Sequence, residues 1–134
     1  MGGILVLEDN MERIHELQKA FGGITPIRLV HNAKGCIQEM MRGHWDFIFL
    51  QHDIGEPKLA ADGVCACAWA GEHPDRFHGT TFILHTENTF GGHRMQQILH
   101  RWRLHAHRQV RPWAHADLKQ HVITFMKRAS QGSV

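Results

Sequence analysis

The feature that most constrains the fold is the stretch at residues 47–55, where four apolar residues run into the polar triplet Gln51, His52 and Asp53. An uninterrupted apolar run of this length, closed by a glycine, predicts a strand buried on both faces. In open parallel sheets, functional groups gather where such strands end. The triplet therefore lies where chemistry is expected, although a polar strand end that merely leaves the core is the alternative.

Size and composition are those of one globular domain. The chain has 134 residues, 43% of them hydrophobic and 21% charged, which predicts a single domain over residues 1–134. A formal net charge of +2 is too small to indicate nucleic-acid binding by itself. The apolar run at residues 4–7 is too short for a signal peptide or a membrane span, so no membrane contact is expected. Three cysteines without a CxxC pair favour a cytoplasmic location.

Strands are predicted to alternate with helices along the whole chain. Apolar runs predict strands at residues 3–7, 25–31, 46–50 and 80–84, with a short fifth strand before Arg111. Helices are predicted after the caps Asn10, Asn32 and Asp62, after the glycine pair at 91–92, and near Asp117; residues 54–61 and 71–79 are predicted to be a loop and a polar linker. This alternation predicts an α/β fold, a doubly wound sheet of five parallel strands with five helices on its two faces.

Polar side chains follow four of the five predicted strands, at the point where each strand ends. In a doubly wound sheet these ends lie along one edge, so the side chains can converge there. The candidate set comprises Glu8, Asp9, His52, Asp53, residues 85–88 and Arg111.

Carboxylates and imidazoles in this set suggest metal binding and acid–base catalysis. Glu8, Asp9 and Asp53 offer the oxygen ligands that a divalent cation such as Mg²⁺ takes. For Glu8 and Asp9 the alternative is a solvated strand end whose charge favours the N-terminus of the next helix. His52 and His85 suit general acid–base catalysis because the ordinary pKa of histidine lies near neutrality. For the histidines the alternative is a pair of polar edge groups.

Three further residues of the edge are suited to holding a phosphate. Thr86, Asn88 and Arg111 offer a hydroxyl, an amide and a guanidinium, which are common phosphate partners. Two alternatives stay open, because Asn88 is also a good cap for the fourth helix and Arg111, before a proline, can be a turn residue.

The pattern of strand ends resembles the receiver domain of two-component response regulators. The acidic pair Glu8-Asp9, Thr86 after the fourth strand and the basic-Pro-aromatic sequence at residues 111–113 match that family's motifs. The resemblance implies a flavodoxin-like, receiver-like fold. Gln51 stands where the family carries its phosphoacceptor aspartate, and Arg111 replaces its lysine. Because an amide cannot form an acyl phosphate, a conventional phosphorylation switch is not expected.

One branch, the cyclic-phosphate processing receiver domains, resembles the chain more closely. Residues 49–55 (F-L-Q-H-D-I-G) and 85–91 (H-T-E-N-T-F-G) match its two motifs in spacing, and Arg94-Met95 stands in register after the second. The resemblance implies handling or hydrolysis of a cyclic phosphate on a nucleotide or an RNA end, and it adds Arg94 to the candidate substrate-binding residues. Gln51 again replaces an aspartate, so Asp53 would have to supply the corresponding metal ligand.

Two functional hypotheses follow. The first is a small phosphoesterase for a cyclic phosphate, with His52 and His85 as the acid–base pair and a divalent metal. The second is a non-phosphorylatable pseudo-receiver that binds a protein partner, or a second copy, through the face of the fourth helix, fifth strand and fifth helix, with Trp102 and Trp113 as anchors. The His- and Arg-rich residues 100–115 either bind RNA or a nucleotide or form a solvated basic face.

Overall fold

The structure is a computed structural model that describes residues 2–52 and 62–131. The strands are β1 (Ile4–Leu7), β2 (Ile27–Val30), β3 (Phe47–Leu50), β4 (Thr81–Leu84) and β5 (His105–Arg108). The helices are α1 (Met11–Phe21), α2 (Ala33–Arg42), α3 (Asp62–Glu72), α4 (Thr89–Arg101) and α5 (Ala116–Gln131), with a 3₁₀ turn at Pro74–Arg76. All four strand pairs are parallel, in the order β2-β1-β3-β4-β5. The predicted doubly wound α/β sheet is therefore confirmed, while the predicted loop at 54–61 lies outside the described residues.

Each face of the sheet carries its own apolar layer, because successive side chains of a strand point to opposite faces. On one face, alternate residues of β1, β3 and β4 pack with α2, α3 and α4 in a layer that includes Leu5, Leu7, Ile48, Leu50, Phe82 and Leu84. On the other face, Ile4, Val6, Phe47, Phe49 and Ile83 pack against α1 and α5. These are called the α2/α3/α4 face and the α1/α5 face. Burial on both sides explains why these strands are apolar apart from Thr81, the first residue of β4.

The strand order places a crevice at the carboxyl ends of β1 and β3. The chain passes from β1 through α1 to β2 on one side, and all later strands lie on the other side of β1. This reversal is the position at which doubly wound sheets bind their ligands. Residues that follow β1, β3 and β4 therefore meet at one rim.

The start of α4 differs from the prediction. The helix begins two residues before the glycine pair, and Asn88 caps it by accepting a hydrogen bond from Gly91 N at 2.7 Å. Both glycines lie in the first turn of α4, where neighbouring side chains leave no room for a Cβ. A Cβ on Gly91 would lie 2.3 Å from His52 Cδ2, and one on Gly92 would lie 2.7 Å from Arg108 Nε.

Residues 71–79 are more regular than the predicted polar linker. The helix α3 continues through Gly71 to its last residue, and a 3₁₀ turn follows. A glycine is needed at position 71 because α3 packs closely against Trp102. A Cβ at this position would lie 2.6 Å from Trp102 Cδ1. Within the described ranges, no helix has both the length and the apolarity needed to cross a membrane.

Candidate functional site

The centre of the site is the carboxylate of Glu8, which is fully buried just beyond β1. Its Oε1 accepts from Arg13 Nε at 2.7 Å and from His85 Nε2 at 3.0 Å. Its Oε2 accepts from the backbone N–H groups of Asp9 at 3.0 Å and Asn10 at 3.1 Å. An ionised carboxylate only accepts hydrogen bonds, so the proton of this contact belongs to the Nε2 nitrogen of His85.

These contacts hold Glu8 in its charged form. Burial by itself would raise the pKa of the Glu8 carboxyl, but hydrogen bonds from His85 and Arg13, the electrostatic attraction of His85 and the hydrogen bond from the backbone N–H of Asn10 lower that pKa from 4.5 to about 2. The favourable contacts outweigh the desolvation of the charge. Glu8 is thus a fixed anion at neutral pH.

His85 is held across the end of β3 from Glu8 and is only 1% exposed. Its ring packs against Phe49, with centroids 6.2 Å apart, and edge-on against Trp113 at 6.5 Å. Because Nε2 donates to Glu8, the Nδ1 nitrogen of a neutral His85 ring is the acceptor. Among the described residues, this Nδ1 has no hydrogen-bond partner. A buried polar atom in that state is a candidate for contact with a ligand.

A cavity of about 470 Å³ opens beside His85 on the α1/α5 face. Its wall combines residues that follow four strands with residues of the first turns of α1. The polar and aromatic part of the wall is formed by Asn10, Glu12, Arg13, Glu16, Gln51, His85, Glu87, Arg111 and Trp113. The volume is sufficient for a small organic ligand.

Gln51 ties the ends of β3 and β4 together at the floor of this cavity. Its Nε2 donates to the backbone oxygen of His85 at 3.3 Å, and its Oε1 accepts from His52 N at 2.9 Å. The side chain is 4% exposed, so both ends of its amide are satisfied inside the protein. An aspartate could accept but not donate here. Gln51 is therefore a structural link between two strand ends.

His52 lies on the opposite side of the sheet edge from His85. Asn88 Nδ2 donates to His52 Nδ1 at 3.4 Å, and the His52 ring covers Gly91 in the first turn of α4. Strand alternation gives the same placement, because His52 continues the α2/α3/α4 face and His85 continues the α1/α5 face. The structure thus brings His85 to Glu8 and the cavity, and brings His52 to Asn88 and α4.

One protein family matches the part of the chain that contains these strand ends. A family model described as Cyclic-phosphate processing Receiver domain matches residues 4–101, a span that contains Glu8, Gln51, His52 and His85. The chain belongs to this family. The resemblance that the motifs predicted is confirmed, and Arg111 lies beyond the matched residues. No curated protein matches the chain.

Solved receiver domains share the fold of this receiver domain. The signal receiver domain of a signal transduction histidine kinase from Syntrophus aciditrophicus is 15% identical, with a TM-score of 0.65 over 100% of this chain and 96% of that one. The receiver domain of a sensor histidine kinase from Pseudomonas aeruginosa PAO1, solved with magnesium in its active-site cleft, is 18% identical, with a TM-score of 0.64 over 94% and 98%. That of a putative LuxO repressor protein from Vibrio parahaemolyticus is 18% identical, with a TM-score of 0.63 over 98% and 94%. At these identities the likeness confirms the flavodoxin-like receiver fold alone.

The predicted phosphate-binding residues have different surroundings in this receiver domain. Thr86 is buried, and its Oγ1 accepts from Asn88 N at 3.1 Å, while Asn88 itself caps α4. Arg111 is exposed and lines the cavity. Arg94 is exposed on α4, on the side of the sheet away from the cavity. Of the four, Arg111 alone lines the cavity beside His85.

The predicted metal ligands do not form a magnesium site within the described residues. Both oxygens of Glu8 are engaged by Arg13, His85 and backbone N–H groups, and a cation there would have to displace a guanidinium. Asp9 is partly exposed, and Asp53 lies outside the described residues. Over residues 2–52 and 62–131, no three His, Cys, Asp or Glu side chains are grouped to hold a metal ion. The magnesium site stays a prediction.

Two residues of the site were missed by the sequence prediction or given another role. Arg13 was not identified, because its contact with Glu8 joins a strand end to the following helix and has no local sequence signal. Trp113 was predicted to anchor a partner protein, but it packs on His85 and lines the cavity.

Proposed function

We propose that this receiver domain binds a phosphate ester in the cavity beside His85 and hydrolyses a cyclic phosphate there. The observation that carries the proposal is the buried pair of Glu8 and His85, joined at 3.0 Å, whose remaining ring nitrogen makes no hydrogen bond within the described residues. A carboxylate that orients an imidazole beside a cavity is a common arrangement for acid–base catalysis.

The chemistry assigned to His85 follows from its tautomer. With the proton on Nε2 directed at Glu8, Nδ1 can take a proton from a water molecule as the water oxygen bonds to phosphorus. The buried anion of Glu8 stabilises the imidazolium that forms. As the ring P–O bond of the cyclic phosphate breaks, His85 returns the proton to the departing oxygen. A cyclic diester and one water thus give a phosphate monoester with a free hydroxyl.

Arg111 is the proposed phosphate contact. It is exposed and lines the cavity, and a guanidinium can pair with two phosphate oxygens at once. Arg13 is less suited because its Nε and Nη2 already face Glu8 at 2.7 and 3.3 Å.

His52 is proposed as a positioning residue that acts through Asn88 and the first turn of α4. Thr86 belongs to the same group, since it also contacts Asn88. Roles for His52 in catalysis, and for Thr86, Asn88 and Arg94 in substrate binding, stay predictions. No step of the proposed reaction passes through a metal ion.

A second candidate function is a pseudo-receiver that binds a protein partner. The observation in its favour is Gln51, whose buried amide cannot accept a phosphoryl group as an aspartate does. Trp102, 45% exposed at the end of α4, is the proposed anchor on the face of α4, β5 and α5. A cytoplasmic location, favoured by three cysteines without a CxxC pair, fits both candidates.

Hydrolysis of a 2′,3′-cyclic mononucleotide tests the proposal and separates the two candidates. His85→Gln should lower kcat at least a hundredfold, the usual contribution of a general acid–base group, while the exposed His105→Gln serves as the matched control. His52→Gln should lower it less, because that ring acts through other residues. Circular dichroism and thermal melting check that each variant is folded. Absence of turnover by the unaltered protein, or full turnover by folded His85→Gln, would contradict the proposal.

A further inference from the structure

Carboxylates contribute much of the wall of the cavity beside His85. Three acidic side chains line it, and they are named here the acidic wall: Glu12, Glu16 and Glu87. Glu12 and Glu16 lie four residues apart on α1, so they share one side of that helix. Glu87 comes from a different segment, two residues after His85. A ligand in the cavity is therefore exposed to negative charge from two parts of the chain.

Positive charge in the same wall comes from Arg13 and Arg111. The guanidinium of Arg13 is directed at the carboxylate of Glu8, with Nε at 2.7 Å and Nη2 at 3.3 Å. Burial would lower the pKa of Arg13, but Glu8 raises it, and Glu87 and Asp9 add to that effect through their charges. Of the described residues that line the cavity, Arg111 is thus the arginine that does not face Glu8.

We propose that the acidic wall makes this cavity selective for a phosphate ester with one negative charge over an ester with two. The inference rests on the proposed function and deepens it by assigning residues that distinguish substrate from product. A cyclic diester carries one negative charge. The monoester formed from it approaches two at neutral pH, because the second pKa of such a phosphate is about 6. The acidic wall would therefore favour the release of product after each turnover.

The position of the bound phosphate gives the selectivity its physical basis. The His85 ring is 1% exposed, and its Nδ1 has no hydrogen-bond partner within the described residues, so a phosphate bound there lies beside the buried anion of Glu8. Arg111 can offset the first negative charge of the ligand. A second charge meets the acidic wall without a further cation, and each carboxylate several ångströms away should weaken binding by roughly threefold.

Binding of two ligands across a range of pH tests the selectivity. The ligands are a 2′,3′-cyclic mononucleotide and its 3′-phosphate product, and calorimetry measures both affinities between about pH 5.5 and 8. The His85→Gln protein is used because it prevents turnover and removes the imidazole that titrates in this range. The cyclic ligand keeps its charge and is the internal reference. Relative to it, the product should bind roughly tenfold more weakly at the upper end of the range than at the lower.

Variants of the acidic wall should reduce this difference. In the same background, the triple variant Glu12→Gln/Glu16→Gln/Glu87→Gln should bind the product roughly tenfold more tightly at pH 8, with a smaller change for the cyclic ligand. The control is Glu72→Gln, exposed on α3 at the other face, which should leave the ratio of affinities unchanged. With His85 retained, the triple variant should also be inhibited more strongly by product during hydrolysis. Thermal melting checks that each variant is folded.

The outcomes separate this selectivity from the proposed function. Binding of both ligands with a ratio that is independent of pH, or that the triple variant leaves unchanged, would overturn the selectivity alone. Weaker binding of product by the triple variant would also overturn it, because the carboxylates would then help to hold the phosphate. Failure of both ligands to bind would overturn the proposed function and this inference with it. A gain in affinity confined to the product would support both.

Discussion

Replacing Glu8 by glutamine tests the site at its buried charge. The substitution keeps the shape of the side chain but removes the anion that Arg13 and His85 contact at 2.7 and 3.0 Å. The new amide nitrogen cannot accept a hydrogen bond, so donors that now face the carboxylate lose their acceptor. Arg13, 28% exposed in the pair, is left with a partly buried, unpaired charge. We therefore expect a substantial loss of stability.

The magnitude follows from the pKa of Glu8. Folding lowers the pKa of this carboxyl from 4.5 to about 2, which corresponds to about 3 kcal/mol of stability at neutral pH. The cost of removing one partner of a buried ion pair, ~3–5 kcal/mol, is of the same size. We expect Glu8→Gln to lower the free energy of unfolding by about 3 kcal/mol at pH 7.

The pH dependence gives a second readout with a definite sign. Since the folded-state pKa of Glu8 lies below its unfolded value, the stabilisation is complete above pH 4.5 and is lost as the pH falls toward 2. At pH 3 about half of it should remain. Urea unfolding at pH 7, 5 and 3 should therefore show the difference between the natural protein and Glu8→Gln shrinking with acidification.

The control for this experiment is Glu72→Gln. Glu72 is exposed at the C-terminal end of α3, so its replacement should change the free energy of unfolding by less than about 0.5 kcal/mol. A loss below about 1 kcal/mol for Glu8→Gln at pH 7, or a difference that does not vary between pH 5 and 3, would refute the reasoning about the buried anion.

Two further substitutions test how the strand ends are packed. Gly91→Ala would place a Cβ 2.3 Å from His52 Cδ2 and should lower the free energy of unfolding by about 1–3 kcal/mol through overpacking. The control is Gly23→Ala, where no atom lies within 4 Å of the new Cβ. Equal melting temperatures for the two variants would contradict the expected overpacking. Gln51→Leu removes the hydrogen bonds of the Gln51 amide at the ends of β3 and β4. It should lower the free energy of unfolding by about 1–3 kcal/mol, because buried polar groups are left unsatisfied. Urea unfolding measures this loss, and an unchanged midpoint would contradict the structural role of Gln51.

The sheet could be predicted because its signals are local. The apolar run of β3 and the caps Asn10 and Asn32 each lie within a few residues of the element they define, and the structure places the elements there. The predicted start of α4 was wrong because the contacts that decide it are not local in sequence. Glycine is a weak helix former by itself, but Gly91 and Gly92 are helical because distant side chains pack against them.

The candidate site could be predicted in part. Motif spacing identified Glu8 and His85 as residues of one rim, but their contact spans 77 positions in sequence and depends on which face each side chain takes. Strand alternation already implied that His52 and His85 face opposite sides of the sheet. That inference, however, required the last residues of β3 and β4 to be predicted without an error of one position. The hydrogen bonds of Gln51 had no local signal, because their partners follow from the pairing of β3 with β4.

The proposed hydrolysis requires that Nδ1 of His85 faces the reacting phosphate while Nε2 is held by Glu8. Nitrogen NMR of histidine side chains, recorded with and without the 3′-phosphate nucleotide product, measures this directly. We expect the neutral His85 ring to carry its proton on Nε2 and the Nδ1 signal to move when the nucleotide is added. A proton on Nδ1 in the free protein, or an Nδ1 signal unchanged at saturating nucleotide, would contradict it.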